Sequence, residues 1–85
     1  MNEITDKLDL HGLTIDEAIP MVDRFLYKSV QAHLHRIWIV HGKGSGVLRD
    51  AVRRYISKHS LVKTCLTADR RHGGNGATQV ELVGN

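Results

Sequence analysis

Leu8 and Leu10 alternate with Lys7, Asp9 and His11 along Lys7–Gly12, the two-residue period of a half-buried strand closed by a glycine. Thr14-x-x-Glu17 follows as a capping box, in which hydroxyl and carboxylate satisfy the free amides of a helix start. Behind it Ile15, Ala18, Ile19, Val22, Phe25, Leu26, Ser29 and Val30 recur at helical spacing, predicting a helix to about His33 with a bend at Pro20. Arg36–His41 (RIWIVH) is continuous and apolar, as a strand in the middle of a sheet requires. The glycine loop Gly42–Gly46 (GKGSG) then leads to a second amphipathic helix marked by Val47, Leu48, Ala51, Val52, Tyr55 and Ile56. Leu61–Thr67 and Ala77–Val83 read as strands, separated by the basic, turn-rich loop Ala68–Gly76 (ADRRHGGNG).

The order is β-α-β-α-β-β. Two strand-helix-strand units demand right-handed crossovers and some parallel pairing, and the last two strands are expected to be antiparallel. The predicted fold is a two-layer α/β sandwich with a mixed four-stranded sheet. At 85 residues the chain is expected to be one domain, 1–85, too short for a two-halved dinucleotide-binding domain. So small a core favours a site on an edge over an internal cavity.

Cys65 is the single cysteine, which excludes an intramolecular disulfide and a paired-cysteine zinc site and suits a reducing compartment. Nothing near Met1 has the shape expected of a signal peptide, because Glu3 and Asp6 interrupt the only candidate stretch. The longest apolar run, Ile37–Val40, is far short of a membrane span. A cytoplasmic domain without membrane contact is expected.

The net charge of +3 is unevenly laid out. Residues 1–23 set Lys7 against six acidic residues, giving −5, and residues 24–85 set eleven Lys or Arg against Asp50, Asp69 and Glu81, giving +8. A basic majority of this kind points to a polyanionic partner.

If the first two strands are parallel, His11 and His41 both end at the carboxyl edge of the sheet, where open α/β sheets bind ligands. Asp9 shares a strand face with His11. Asp9, His11 and His41 are therefore expected to converge, a carboxylate beside imidazole being able to fix its tautomer and raise its pKa. Gly42, Gly44 and Gly46 let backbone amides approach an anion, and the helix start behind them adds free N–H groups. Lys43, Ser45 and Arg49 complete a candidate phosphate cradle, which matches neither a Walker A loop nor a dinucleotide fingerprint. Arg70 and Arg71 are expected to contact a nucleic-acid backbone. Arg53 and Arg54 read as solvated, Trp38 and Tyr55 as core, Cys65 as an inert thiol, and His33, His35 and His59 as caps of helix ends.

Three segments, LDLHG (Leu8–Gly12), HGKG with Leu48-Arg49 (His41–Arg49) and GATQVEL (Gly76–Leu82), in this order and spacing, resemble the landmarks of the Smr (small MutS-related) domain over about residues 6–83. The resemblance implies a fold similar to the C-terminal domain of a bacterial translation initiation factor. It also implies endonuclease activity, nicking DNA or cleaving RNA, in some members on messenger RNA at collided ribosomes. Carried over by position, it points to Asp9 and His11 and to His41, Gly42, Lys43 and Gly44. His11 suits the stand-alone branch of the family, while the other two motifs suit either that branch or the MutS-linked one.

The expected activity is phosphodiester cleavage. The GKGSG loop with Lys43 and Arg49 would hold the phosphate, and His11, oriented by Asp9, and His41 would divide the acid and base roles, in either assignment. RNA supplies its own 2′-hydroxyl nucleophile, so no cofactor is required. With DNA the nucleophile is water, and Asp9 is placed to hold a divalent cation such as Mg. The alternative is a non-catalytic module that binds DNA, RNA or the ribosome through the same basic edge.

Overall fold

A computed structural model describes residues 5–84. The chain runs β1 (Lys7–Asp9), α1 (Ile15–Gln31), β2 (Arg36–Val40), α2 (Val47–Ser57), β3 (Val62–Thr67) and β4 (Ala77–Leu82). The sheet order is β1-β2-β4-β3, with β1 parallel to β2 and the other two pairings antiparallel. This is the expected mixed four-stranded sheet with two helices.

The core lies between the helices and one face of the sheet. Ala18, Val22, Phe25 and Leu26 of α1 and Val52 and Ile56 of α2 meet Ile37, Ile39, Val80 and Leu82 of the central strands. The β2 residues between these, Trp38 and Val40, therefore face the other side, as do Lys7 and Asp9 at their registers on β1. Helices α1 and α2 both pack on the first face and leave this second one uncovered by either. At β3, Val62 pairs with Leu82 and Thr64 with Glu81, so Lys63 is the extra residue of a β-bulge.

The helix ends follow their local chemistry. Glu17 N–H donates to the Thr14 hydroxyl at 3.2 Å and the Glu17 carboxylate accepts the Thr14 amide at 2.9 Å, completing the predicted capping box. Helix α1 carries Pro20 inside it and stops at Gln31, two residues before the expected end. His33 takes a left-handed φ of 63°, and the amides of His33 and Leu34 close on the carbonyls of Val30 and Ser29. The His33 backbone thus closes the end of the helix. Helix α2 begins after Gly46, also left-handed, and its first residue, Val47, is exposed instead of joining the core stripe.

Three other expectations are corrected. Trp38 is half-buried on the face without helices, and its indole stacks on the His72 imidazole, centroids 4.0 Å apart and planes 6° from parallel. Tyr55 sits at the edge of the core and donates its hydroxyl proton to Asp23 at 2.6 Å, a bond that pushes its pKa up to about 12. His59 donates to the same carboxylate oxygen at 2.9 Å, so Asp23 ties α1 to the end of α2. The 68–76 segment is more ordered than a turn-rich loop, holding two 3-10 turns, Arg70–His72 and Gly74–Gly76. Among the described residues no helix is long and apolar enough to cross a membrane.

Candidate functional site

Parallel pairing with Asp9 opposite Val40 brings the ends of β1 and β2 together. His11 lies just beyond the strand, in the turn that precedes α1, not at its last residue as expected. Its backbone amide donates to Asp9 Oδ1 at 3.0 Å and its Nδ1 meets the same oxygen at 2.7 Å. A carboxylate accepts, so Nδ1 carries the proton and Nε2 is left to face outward. The hydrogen bond that His11 donates to Asp9 raises the His11 pKa above its ordinary 6.5, and the same bond lowers that of Asp9. Both side chains are open to solvent, at 72% and 53% exposure.

His41 is in a different state. It is 4% exposed, and both ring nitrogens are engaged inside the fold. Nδ1 donates to the Gly42 carbonyl at 2.9 Å, and Nε2 lies 2.9 Å from Thr78 Oγ1. The Thr78 hydroxyl also accepts Arg53 Nε at 3.0 Å, so its own proton points to His41 Nε2. Burial lowers the His41 pKa, and the charges of Arg53 and Arg49 act in the same direction. The expected convergence of Asp9, His11 and His41 therefore holds for the chain positions but differs for the rings. His41 is buried beneath the loop, while the Asp9–His11 pair is exposed.

The loop itself turns through three left-handed glycines, with φ of 87° at Gly42, 27° at Gly44 and 89° at Gly46. The amides of His41 and Gly42 both donate to the Gly76 carbonyl, at 3.0 and 2.9 Å, which pins the 69–76 segment against the loop. A Cβ on Gly42 would lie 3.6 Å from that of His11, so the loop starts beside the dyad. Between the Gly12–Asp16 turn and the Gly42–Arg49 segment opens a cleft of about 620 Å³. Ser45 Oγ accepts the Val47 amide at 3.4 Å, and Lys43 is exposed. Arg49 packs over Gly46, where a Cβ would come within 2.7 Å of its Nη2, and its Nε donates to Asp50 at 3.1 Å.

Arg70 and Arg71 are exposed on the first 3-10 turn, on the segment that Gly76 fastens to the loop. Sequence reasoning missed Arg53 and Thr78. Arg53 read as solvated, yet it bridges Thr78 and Thr67, its Nη2 donating to Thr67 Oγ1 at 2.7 Å. The available signal was Thr78 at an inward β4 position, since a hydroxyl buried in a sheet calls for a partner. Among the described residues no three His, Cys, Asp or Glu side chains gather as a metal cage.

A family model described as the Smr domain matches residues 8–83. Over 81 residues the chain is 44% identical to an endonuclease MutS2 of Pelotomaculum thermopropionicum, covering 95% of this chain and 10% of that protein. The chain spans about a tenth of the length of the curated relatives it matches. In structure it resembles the crystallised Smr domain of Thermus thermophilus MutS2, with a TM-score of 0.88 at 35% identity over 93% of this chain and 99% of that one. YdaL, a stand-alone small MutS-related protein of Escherichia coli, gives 0.86 at 30% identity over 91% of this chain and 63% of its own.

Proposed function

We propose that this chain, which belongs to the Smr domain family, is a nucleic-acid endonuclease domain that cleaves phosphodiester bonds where Asp9 and His11 meet the glycine loop. The observation that carries this reading is the exposed 2.7 Å contact of His11 Nδ1 with Asp9, beside the start of the glycine loop at Gly42. Asp9 fixes the ring tautomer and orientation, and Nε2 exchanges the proton with the reacting oxygen. The raised pKa of His11 brings that exchange toward neutral pH. The loop amides, Lys43 and Arg49 hold the phosphate and stabilise the charge that grows on it. His41, with both nitrogens engaged, is a positioning residue that holds Gly42 in register. Arg70 and Arg71 add sequence-independent contacts to the polymer backbone.

RNA brings its own nucleophile in the 2′-hydroxyl. On DNA the nucleophile is water, and a divalent cation such as Mg, held by Asp9, would supply Lewis acidity, taking its other ligands from substrate phosphate and water. Incubation of the purified domain with labelled RNA and with supercoiled DNA, with and without chelator, tests the proposal. Cleavage that disappears in His11→Ala, with retention on the nucleic acid nearly unchanged, is the expected result. Retention with steep salt dependence and no cleavage would instead establish a DNA-, RNA- or ribosome-binding module.

A further inference from the structure

A second aspartate–histidine pair repeats the geometry of the first. The His72 amide donates to Asp69 Oδ1 at 3.0 Å, and His72 Nδ1 meets the same oxygen at 2.7 Å, as at Asp9 and His11. Here too a carboxylate fixes the proton on Nδ1 and turns Nε2 away from it. The ring does not hang free. It lies flat on the Trp38 indole, which holds its plane.

The topology brings this pair to the site already described. The 69–76 segment leaves the sheet at Ala68 and returns at Ala77, where the Ala68 amide donates to the Ala77 carbonyl at 3.1 Å. Ala77 pairs with Val40, and Val40 with Asp9, so the segment starts and ends at the carboxyl edge of β1 and β2. Gly76 accepts the amides of His41 and Gly42, and a Cβ on it would stand 3.4 Å from Lys43 Cγ. From that edge the 3-10 turn folds back over the sheet face without helices, placing His72 on Trp38. Trp38 pairs with Lys7, two residues before Asp9 on the same face. The Cα atoms of Trp38 and Asp9 are then on the order of 8 Å apart, from a strand spacing of ~4.8 Å and a rise of ~3.3 Å per residue.

We infer that His72, oriented by Asp69 and Trp38, is the second proton-transfer group of the cleavage reaction and the partner of His11. This rests on the endonuclease reading above. His41 has no free nitrogen for such a role, and His72 supplies a second imidazole on the neighbouring face. Two imidazoles suffice for RNA. One takes the proton of the 2′-hydroxyl as its oxygen bonds to phosphorus, and the other protonates the 5′-oxygen as the P–O5′ bond breaks. The products are a 2′,3′-cyclic phosphate and a 5′-hydroxyl, with no added reactant.

The test is single-turnover cleavage of labelled single-stranded RNA in chelator across a pH series, with retention on RNA and thermal melting measured beside it. Wild type should give a bell-shaped profile and cyclic-phosphate ends, and a single 2′-deoxy substitution at the scissile nucleotide should block it. His72→Ala should lose about 10²- to 10⁴-fold in rate, the usual share of one acid–base group, with one limb of the profile gone and retention kept. Free imidazole should restore part of that rate. His72→Asn, whose amide can still donate to Asp69, keeps the fold test clean and should be as slow. If either folded variant cleaves within a few-fold of wild type with both limbs intact, His72 is not catalytic, although the His11 reading stands. Loss of retention in proportion to rate makes it a binding residue and overturns the inference equally. If wild type does not cleave this RNA at all, the His72 inference falls, and the endonuclease reading falls with it only if supercoiled DNA without chelator is also left intact.

Discussion

Replacing Thr78 by valine keeps the shape of a fully buried side chain and removes its hydroxyl. The hydroxyl holds two groups at once, accepting Arg53 Nε at 3.0 Å and donating to His41 Nε2 at 2.9 Å. His41 Nε2 would then be buried without a partner, at a cost of about 2 kcal/mol, and the half-exposed Arg53 would recover most of its bond from water, costing about 1 kcal/mol. The added methyl offsets about 0.8 kcal/mol. The net loss of about 2 kcal/mol corresponds, in a domain of this size, to a melting point lower by roughly 8–16 °C. Thr78→Ser keeps the hydroxyl and loses one methyl, at about 1 kcal/mol, so it should melt above the valine variant. Calorimetry or circular dichroism of the three proteins at pH 7.5 measures this. A valine variant that melts as high as the serine variant would show that the Arg53–Thr78–His41 chain does not support the loop.

Other outcomes follow from the same geometry. Histidine titration by NMR should place His11 above 6.5 and His41 below it, and Asp9→Asn should bring His11 back toward 6.5, because its upward shift comes from the Asp9 hydrogen bond. The depressed pKa of His41 means that the unfolded chain binds the extra proton first, so its contribution to stability is present above pH 6.5 and lost as pH falls toward its folded value. His11, with its pKa raised, acts in the opposite direction. The check on His41 is therefore His41→Gln, which should raise the urea midpoint at pH 5.5 relative to that at pH 7.5 when compared with wild type. Double replacement of Arg70 and Arg71 by alanine should weaken retention on DNA and RNA without regard to sequence and flatten the slope of log affinity against log salt by about 2. Gly46→Ala forces a side chain into the left-handed region and against Arg49, and should lower stability by about 1–2 kcal/mol in a urea titration.

Most of the fold was legible because its signals are local. The Thr14–Glu17 box, the two helical stripes and the apolar RIWIV run each specify an element, and strand-helix-strand connectivity then sets the parallel β1–β2 pair. From that pairing came the placement of His11 and His41 at one edge, and Asp9 beside His11. The state of His41 was not legible, because burial of its ring depends on Thr78 and Arg53, 37 and 12 residues further along the chain. Arg53 carried the same opacity, since an arginine on the polar side of a helix is solvated unless a hydroxyl of the sheet stands beneath it. Trp38 was misread because an apolar strand suggested burial on both faces, whereas helices cover one face and a 3-10 turn covers part of the other. No local pattern announces that a basic, glycine-rich segment folds back on the sheet.

The sheet edges have a consequence for what the domain does beside its neighbours. On one side β1 is only three residues long, and on the other β3 is broken by the bulge at Lys63, which sets an ammonium group among the outer residues. A strand arriving from another molecule finds too short a ladder on the first side, and a kinked, charged one on the second. Among the described residues Leu66, at 50%, is the large apolar side chain that this second edge leaves exposed. The domain can therefore be crowded on a polymer, or repeated at high local concentration, without its sheet being extended by a second copy, and Lys63 is the residue whose loss would most weaken that protection against aggregation.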